Sequence, residues 1–349
     1  MEFQDYINNT DNYLQTFKDK KIYVQKNGEL ALLKMYRNRE YDFENHQWLR
    51  YCRGAIINLK TKQLICVPPM KSEKIEDVDD LDEKENIVYE NLLEGTMINM
   101  FYHNDEWKIS TRSSIGCKNS WDGKVSFLDM FREVSNDIQH NEDLKKNNCY
   151  SFVLQHKRNR IVSPVFENRI VLVHQYNIET MEQVELDGLY HIERSLKINL
   201  QDYKQPLKFS IKGLTFTKDG IRHKWINPEH EHVLSLKMNH NDKFLSYIDL
   251  RKKRLLKEYL KYFPEDSYQF EEYQRKFYLI KNHLYECYVN HFIRKELDLK
   301  EINYSLKPHL FKLHEFYKKE GVKINVKIVS DYLHSLDGKQ IMFICNYLF

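Results

Sequence analysis

The sequence predicts an α+β protein in two parts, a strand-rich region over residues 1–240 and an all-helical region over 241–349. Three observations carry this reading. Up to about residue 240, short β-branched and aromatic runs alternate with polar turn segments. Beyond it, apolar residues recur at spacings of three and four, as in Phe277, Ile280, Leu284, Tyr288 and Phe292. Gly is scarce at 10 and Pro at 7 in 349 residues, which leaves few breaks and favours regular elements.

In chain order, the strand signals are IYVQ (22–25), LALLKMY (30–36), GAIINL (54–59), QLICV (63–67), TMINMFY (96–102), WKISTR (107–112), YSFVLQ (150–155) and RIVLVHQYNI (169–178). VSFLDMFREV (125–134) interrupts them with helical spacing. KSEKIEDVDDLDEKENI (71–87) is charged throughout and reads as a surface loop or short helix. The tone changes near Asn241, and Pro264 and Pro308 fall at helix starts or breaks. The helical region carries 20 Lys+Arg against 15 Asp+Glu, a net +5. Its densest basic cluster is RKKRLLK (251–257), read first as a solvated helix face.

Bulk composition bounds the function. A 42% hydrophobic content excludes disorder, and the length supports two domains. The net charge of +3, from 54 basic and 51 acidic residues, does not mark a nucleic-acid binder, so any basic surface must come from clustering. Six widely separated cysteines without a CxxC pair argue against zinc knuckles and disulfides and fit a reducing intracellular compartment. The N-terminus has no signal-peptide pattern, and no apolar run is long enough to span a membrane.

Other chemistry is sparse. PEHEH (228–232) places His230 and His232 two apart, a metal-binding spacing only on a strand, and no third ligand is evident. Surface histidines are the simpler reading, and no metal site is expected. His309 and His314 do not share a helix face. The aromatic series Phe263, Tyr268, Phe270, Tyr273, Phe277 and Tyr278 can stack bases, although helical spacing favours core packing. Trp107, Trp121 and Trp225 lie beside the segments compared below, and Trp225, directly after Lys224, reads as packing between sheets or, on the resemblance drawn below, as a stacking wall. No phosphate loop and no GxSxG elbow occur.

Taken in order, RYCRGAIIN (50–58), CVPPMKSEKI (66–75), the segment from Leu92 to Gly116, YSFVLQHKRNRIVSP (150–164), IKGLTF (211–216) and IRHKWINPEHEHVLSLK (221–237) resemble the ATP-dependent RNA ligases of the phage T4 RNA ligase 1 type, within the covalent nucleotidyltransferase superfamily. RYCRGAIIN (50–58) is similar to the family's Arg-Gly strand, through Arg53 and Gly54. CVPPMKSEKI (66–75) resembles its Pro-Met-x-Lys-Phe segment. LLEGTMINMFYHNDEWKISTRSSIG (92–116) looks like the nucleophile motif, a hairpin and a basic turn, with Glu94, Gly95, Thr96 and Arg112 in the matching places. YSFVLQHKRNRIVSP (150–164), RIVLVHQYNI (169–178), IKGLTF (211–216) and IRHKWINPEHEHVLSLK (221–237) continue the series. The resemblance covers roughly 50 to 240. It implies antiparallel sheets around a cleft, followed by a helical domain. Sequences of large DNA viruses share the Gly-Thr-Met-Ile-Asn string of residues 95–99, which implies a viral source, viral-protein partners, and the virion beside the cytoplasm or nucleus as location.

In the family, a motif lysine attacks the α-phosphate of ATP, while carboxylates bind ribose and metal. Here the lysine position is Leu92, the Phe-Glu carboxylate falls on Val153, and the Glu-Gly-x-Val carboxylate on Lys212. Arg222 replaces the first lysine of the last motif and Lys224 retains the second. The resemblance therefore implies a degenerate ligase with no catalytic residue and no cofactor. Its former nucleotide cleft, formed by Arg53, Glu94, Gly95, Arg112, Arg222 and Lys224 with Lys212, would receive RNA or DNA phosphate. RKKRLLK would add further contacts. Two rivals stand beside it. An active ligase would use ATP and Mg²⁺ with Lys71 or Lys74 as a displaced nucleophile, and a protein-binding scaffold would have no nucleic-acid affinity.

Overall fold

The computed structural model describes every residue except 1, 37, 82–86, 122, 187, 188, 190, 191, 239, 241 and 349. The middle of the charged 71–87 segment and Asn241 therefore lie outside the described residues. The architecture is α+β, with two compact units, Met1–His232 and Val233–Phe349.

The strands of the first unit are β1 (Tyr23–Asn27), β2 (Leu30–Lys34), β3 (Ile56–Asn58), β4 (Leu64–Cys66), β5 (Glu73–Lys74), β6 (Glu90–Asn91), β7 (Thr96–His103), β8 (Glu106–Thr111), β9 (Asn148–Gln155), β10 (Arg169–Asn177), β11 (Glu182–Val184), β12 (Glu193–Arg194), β13 (Gly213–Lys218) and β14 (Ile221–Ile226). They build three sheets, in the orders β1-β2-β3-β4, β11-β10-β9-β7-β8 with β12 beside β10, and β5-β14-β13-β6. Among the described residues the pairings are antiparallel except β5 with β14 and β10 with β12. Two-residue turns with positive φ close the β7–β8 hairpin at Asn104–Asp105 and the β13–β14 hairpin at Asp219–Gly220. Their backbone twist matches that of the flanking strands.

Helices α1 (Glu2–Asn9) and α2 (Tyr13–Asp19) open a region that the sequence reads as strand-rich. Each holds only two strong anchors four residues apart, Phe3 with Ile7 and Tyr13 with Phe17, too few for a clear period. All four are buried with Trp48, Leu32 and Ile57 in the core of the first sheet. Helix α3 (Phe127–Ser135) falls where the spacing predicts it. Ser126 caps it by accepting from Asp129 N at 3.1 Å, and Asn136 ends it in the left-handed region. Short α4 (Leu200–Tyr203) follows, and α5 (Pro228–Leu236) straddles the division between units.

The second unit holds α6 (Lys243–Lys252), α7 (Leu256–Tyr262), α8 (Ser267–Tyr288), α9 (Lys307–Glu320), α10 (Val326–Ser335) and α11 (Gly338–Leu348). Phe277, Ile280, Leu284 and Tyr288 form the buried stripe of α8, and Pro308 sits in the first turn of α9. Of the aromatic series, Phe263, Phe270 and Phe277 are core, while Tyr268 and Tyr278 are exposed. RKKRLLK is not one helix face. Arg254 takes a positive φ between α6 and α7, and Arg251 lies over the Phe277 ring at 4.3 Å and donates to Tyr247 Oη. Lys252, Lys253 and Arg254 are left exposed.

Candidate ligand cleft in the strand-rich unit

Strand alternation assigns the faces. On one side of the second sheet, Ile98, Met100, Phe152, Leu154, Ile170 and Leu172 pack with Phe127, Met130 and Phe131 of α3. On the other side, Phe101, Cys149 and Tyr176 join the core of the first sheet. One step further along that side, Ser110, Asn99, Ser151 and His174 lie opposite one another across β8, β7, β9 and β10. All four are buried. Ser151 Oγ donates to Asn99 Oδ1 at 2.9 Å. Asn99 Nδ2, Ser110 Oγ and His174 Nε2 have no hydrogen-bond partner among the described residues.

The third sheet reaches this row through Arg222, which acts on His174. Its strands bury Leu214, Phe216 and Trp225 on one side, which leaves Thr215, Arg222 and Lys224 to the other. Trp225 is thus core and is no stacking wall for the cleft. His174 feels Arg222: burial first, then that guanidinium, push the imidazole down to about 3, against a hydrogen bond to the Val67 backbone. His174 is therefore neutral at pH 7. Burial also lowers Arg222, and Glu90 opposes it.

Several of the matched motifs come together around Lys212 and Lys224, and the place where they meet is the candidate cleft. Gly54, at φ +106, lets the Arg53 segment pass close to Arg112, whose Cα would stand 3.2 Å from an added Cβ. Gly95, at φ +150, runs against β9, where a Cβ would meet Leu154 O at 2.5 Å and Val153 Cγ1 at 2.6 Å. Glu94 turns inward. Its Oε1 accepts from Val162 N at 2.8 Å and Ser163 N at 3.0 Å, and its Oε2 stands 3.0 Å from His230 Nε2. Burial works to raise this carboxyl, but His230 and the two backbone donors together hold it below the usual carboxylate range. His230 is buried and its Nδ1 meets Phe209 O at 3.0 Å. The PEHEH histidines therefore lie on a helix, where residues two apart diverge, and His230 is a core hydrogen-bonding group.

Lys212 is half-buried and reaches back along the sheet, so that Nζ donates to Leu93 O at 3.1 Å, beside the Leu92 position. Leu92 N itself donates to Gly213 O at 2.9 Å. Burial lowers Lys212 most. Lys224, Arg53 and Arg112 lower it further against the pull of Glu94, and the ammonium ends at about 8. Burial, then Arg53, Arg222, Lys71 and Lys74 lower Lys224. The cleft thus gathers Arg53, Lys212, Arg222 and Lys224, with Arg112 exposed beside them.

Lys74 and Lys71 are held at the edge. Lys74 Nζ pairs with Glu231 Oε2 at 3.1 Å, and Lys71 Nζ lies 4.5 Å from the Phe43 ring centroid. Arg50, not singled out by sequence, is buried, pairs with Glu73 at 2.5 Å and covers Phe43. Asn99, Ser110, Ser151 and His174 were also silent in the sequence. The only signal for them is a polar residue at alternate positions of otherwise apolar strands. The donor set does not fit a divalent metal: among the described residues no three His, Cys, Asp or Glu side chains gather to hold an ion, and Lys212 brings an ammonium to the cleft.

No protein-family model matches the chain, and no curated protein sequence matches it. Among solved structures it is similar to a putative ATP-dependent DNA ligase from Aquifex aeolicus, at 14% identity over 89% of this chain and 81% of that one, TM-score 0.44. It is also similar to an archaeal ATP-dependent RNA ligase, at 10% identity over 80% and 83%, TM-score 0.45. An RNA ligase from Naegleria gruberi aligns at 12% identity over 63% and 77%, TM-score 0.33. No helix among the described residues is long and apolar enough to cross a membrane.

Proposed function

We propose that the strand-rich unit is a ligase-like fold that no longer performs nucleotidyl transfer and instead holds the phosphate backbone of RNA or DNA. The observation that carries this reading is the gathering of Lys212, Lys224, Arg53 and Arg112, in which, after burial, Arg53 acts on both lysines and Lys224 and Arg112 act on Lys212. Like charges so placed repel, and an anion that enters among them relieves that repulsion. Phosphodiester oxygens suit a mixture of guanidinium forks and ammonium point charges.

Nucleotidyl transfer has no support at the same positions. Leu92 offers no lone pair, Val153 is a buried alkyl group, and Lys212 would repel a divalent metal. The alternative nucleophiles Lys71 and Lys74 are drawn toward Phe43 and Glu231. The viral source and viral-protein partners implied by the Gly-Thr-Met-Ile-Asn string belong to the same reading. Intact-protein mass after incubation with ATP and Mg²⁺ or Mn²⁺ tests the loss of transfer. The expected mass is unchanged, and a gain of one nucleoside monophosphate that survives denaturation contradicts it.

A further inference from the structure

We infer that the outer edge of β1 is a docking site for an acidic polypeptide segment, which adds to the first sheet as an extended strand. The inference is independent of the cleft and of its phosphate reading. β1 ends the first sheet and pairs, among the described residues, with β2 alone. The register fixes which of its backbone groups are committed. Leu33 N donates to Ala55 O at 2.9 Å and Leu33 O accepts from Gly54 N at 2.8 Å, so Leu33 bonds away from β1. Its register partner Val24 therefore turns its own N–H and C=O away from β2, and by alternation so does Lys26. Just ahead of them, on the same side, Ile22 N donates to Phe17 O of α2 at 2.7 Å. Helix α2 thus closes the edge at Ile22, and beyond that point a groove of about 350 Å³ opens between α2 and β1.

The lining of the groove specifies the occupant. Leu14 and Lys18, one turn apart on α2, form one wall, and Tyr23, Val24, Gln25 and Lys26 form the other. Leu14 and Val24 are half-buried against the core of the first sheet and give the groove an apolar floor. Exposed Lys18 and Lys26 supply its charge, and among the described residues no acid lines it. Asp19, the acid of α2, accepts from Gln15 at 2.8 Å. The outward C=O groups call for a donor and the outward N–H groups for an acceptor. An extended polypeptide supplies both at the strand spacing. Phosphodiester groups offer acceptors only, so a nucleic-acid backbone leaves the carbonyls unmet. A second copy of the same edge brings Lys26 against like charge, a device by which edge strands avoid one another. An acidic segment with apolar residues at alternate positions reverses that sign. Its apolar side chain meets Leu14 and Val24, and its carboxylates meet Lys18 and Lys26. Tyr23, exposed and 6.2 Å from Tyr36 between ring centroids, adds an aromatic flank.

The test selects from a displayed library of random nonapeptides on the full chain. Enriched sequences are expected to carry Asp or Glu with apolar residues at alternate positions. A synthetic peptide of the enriched sequence is then titrated by fluorescence anisotropy. Lys18→Glu/Lys26→Glu should weaken its binding about tenfold or more at low salt and favour a version with lysine in place of each acid. Lys26→Pro removes an outward N–H where an edge strand tolerates proline. It should bind about tenfold more weakly than Lys26→Gln, which removes the charge alone. Hydrogen exchange on the unaltered chain keeps the result independent of whether the variants fold, and the peptide should protect the amides of Val24 and Lys26. No enrichment over a bare support overturns the inference, as do enriched sequences that are basic or uncharged, and as does a peptide that binds without protecting these amides. Two further outcomes also overturn it. A single-stranded RNA oligonucleotide that protects the same amides assigns the edge to nucleic acid, and a dimer in sedimentation that Lys26→Pro dissolves assigns it to a second copy.

Discussion

Lys212 is the residue on which the chemistry of the cleft turns. Its folded pKa of about 8 lies below the ordinary lysine value, so the native state disfavours the ammonium. The sign follows directly. Between about pH 8 and pH 10 the unfolded chain binds more protons, so stability should climb with pH across that window, and the penalty is fully present below pH 8. Lys212→Met should therefore stabilise the unit by roughly 1–3 kcal/mol at pH 7 and abolish the climb. Urea unfolding at pH 7 and pH 9.5 measures both, and a less stable variant would show that Lys212 packs favourably as a cation. His174 runs the same way at lower pH. Burial, then Arg222, depress its pKa to about 3, so stability held above pH 6.5 is lost as pH falls toward 3. The slope is at most about 1.4 kcal/mol per pH unit. In His174→Gln the acid limb should flatten, and an unchanged limb would place the acid-sensitive group elsewhere.

Elements were legible in proportion to how much of their environment is local. The strands of the hairpin β7–β8 read from the runs TMINMFY and WKISTR, and α3 from its spacing. Helices α1 and α2 did not, because their identity rests on four side chains that only the first sheet makes sense of. The site was legible as motifs and illegible as contacts. Lys212 could be named as a charge reversal, but its reach to Leu93 O depends on the β6–β13 pairing. His230 read as a surface histidine, because nothing in PEHEH announces a carboxylate more than a hundred residues earlier. Gly95 is the element-scale hinge of this arrangement, since it lets β7 enter against β9. Gly95→Ala should destabilise the unit by about 3 kcal/mol or more, through a clash with Leu154 O and a strained φ. A thermal shift of the variant within a degree of the parent would contradict that close approach.

At the scale of the molecule, near-neutral totals conceal local clustering. The chain carries only +3, yet Arg53, Arg112, Lys212, Arg222 and Lys224 come from segments scattered over more than 170 positions to one cleft. A net charge cannot show this, and a fold can. The helical unit adds the exposed Lys252, Lys253 and Arg254 of the α6–α7 turn, a weaker feature than the continuous basic helix the sequence suggests.

The central claim, a cleft that binds phosphate backbone, is tested most directly by the salt dependence of single-stranded RNA affinity. The measurement compares the unaltered chain with Lys224→Gln and with the double variant Lys212→Gln/Lys224→Gln. If about four phosphates are neutralised, log K should fall with log salt at a slope near −3, and each removed lysine should reduce that slope by about 0.7. A slope untouched by both variants, or no affinity at low salt, would contradict it.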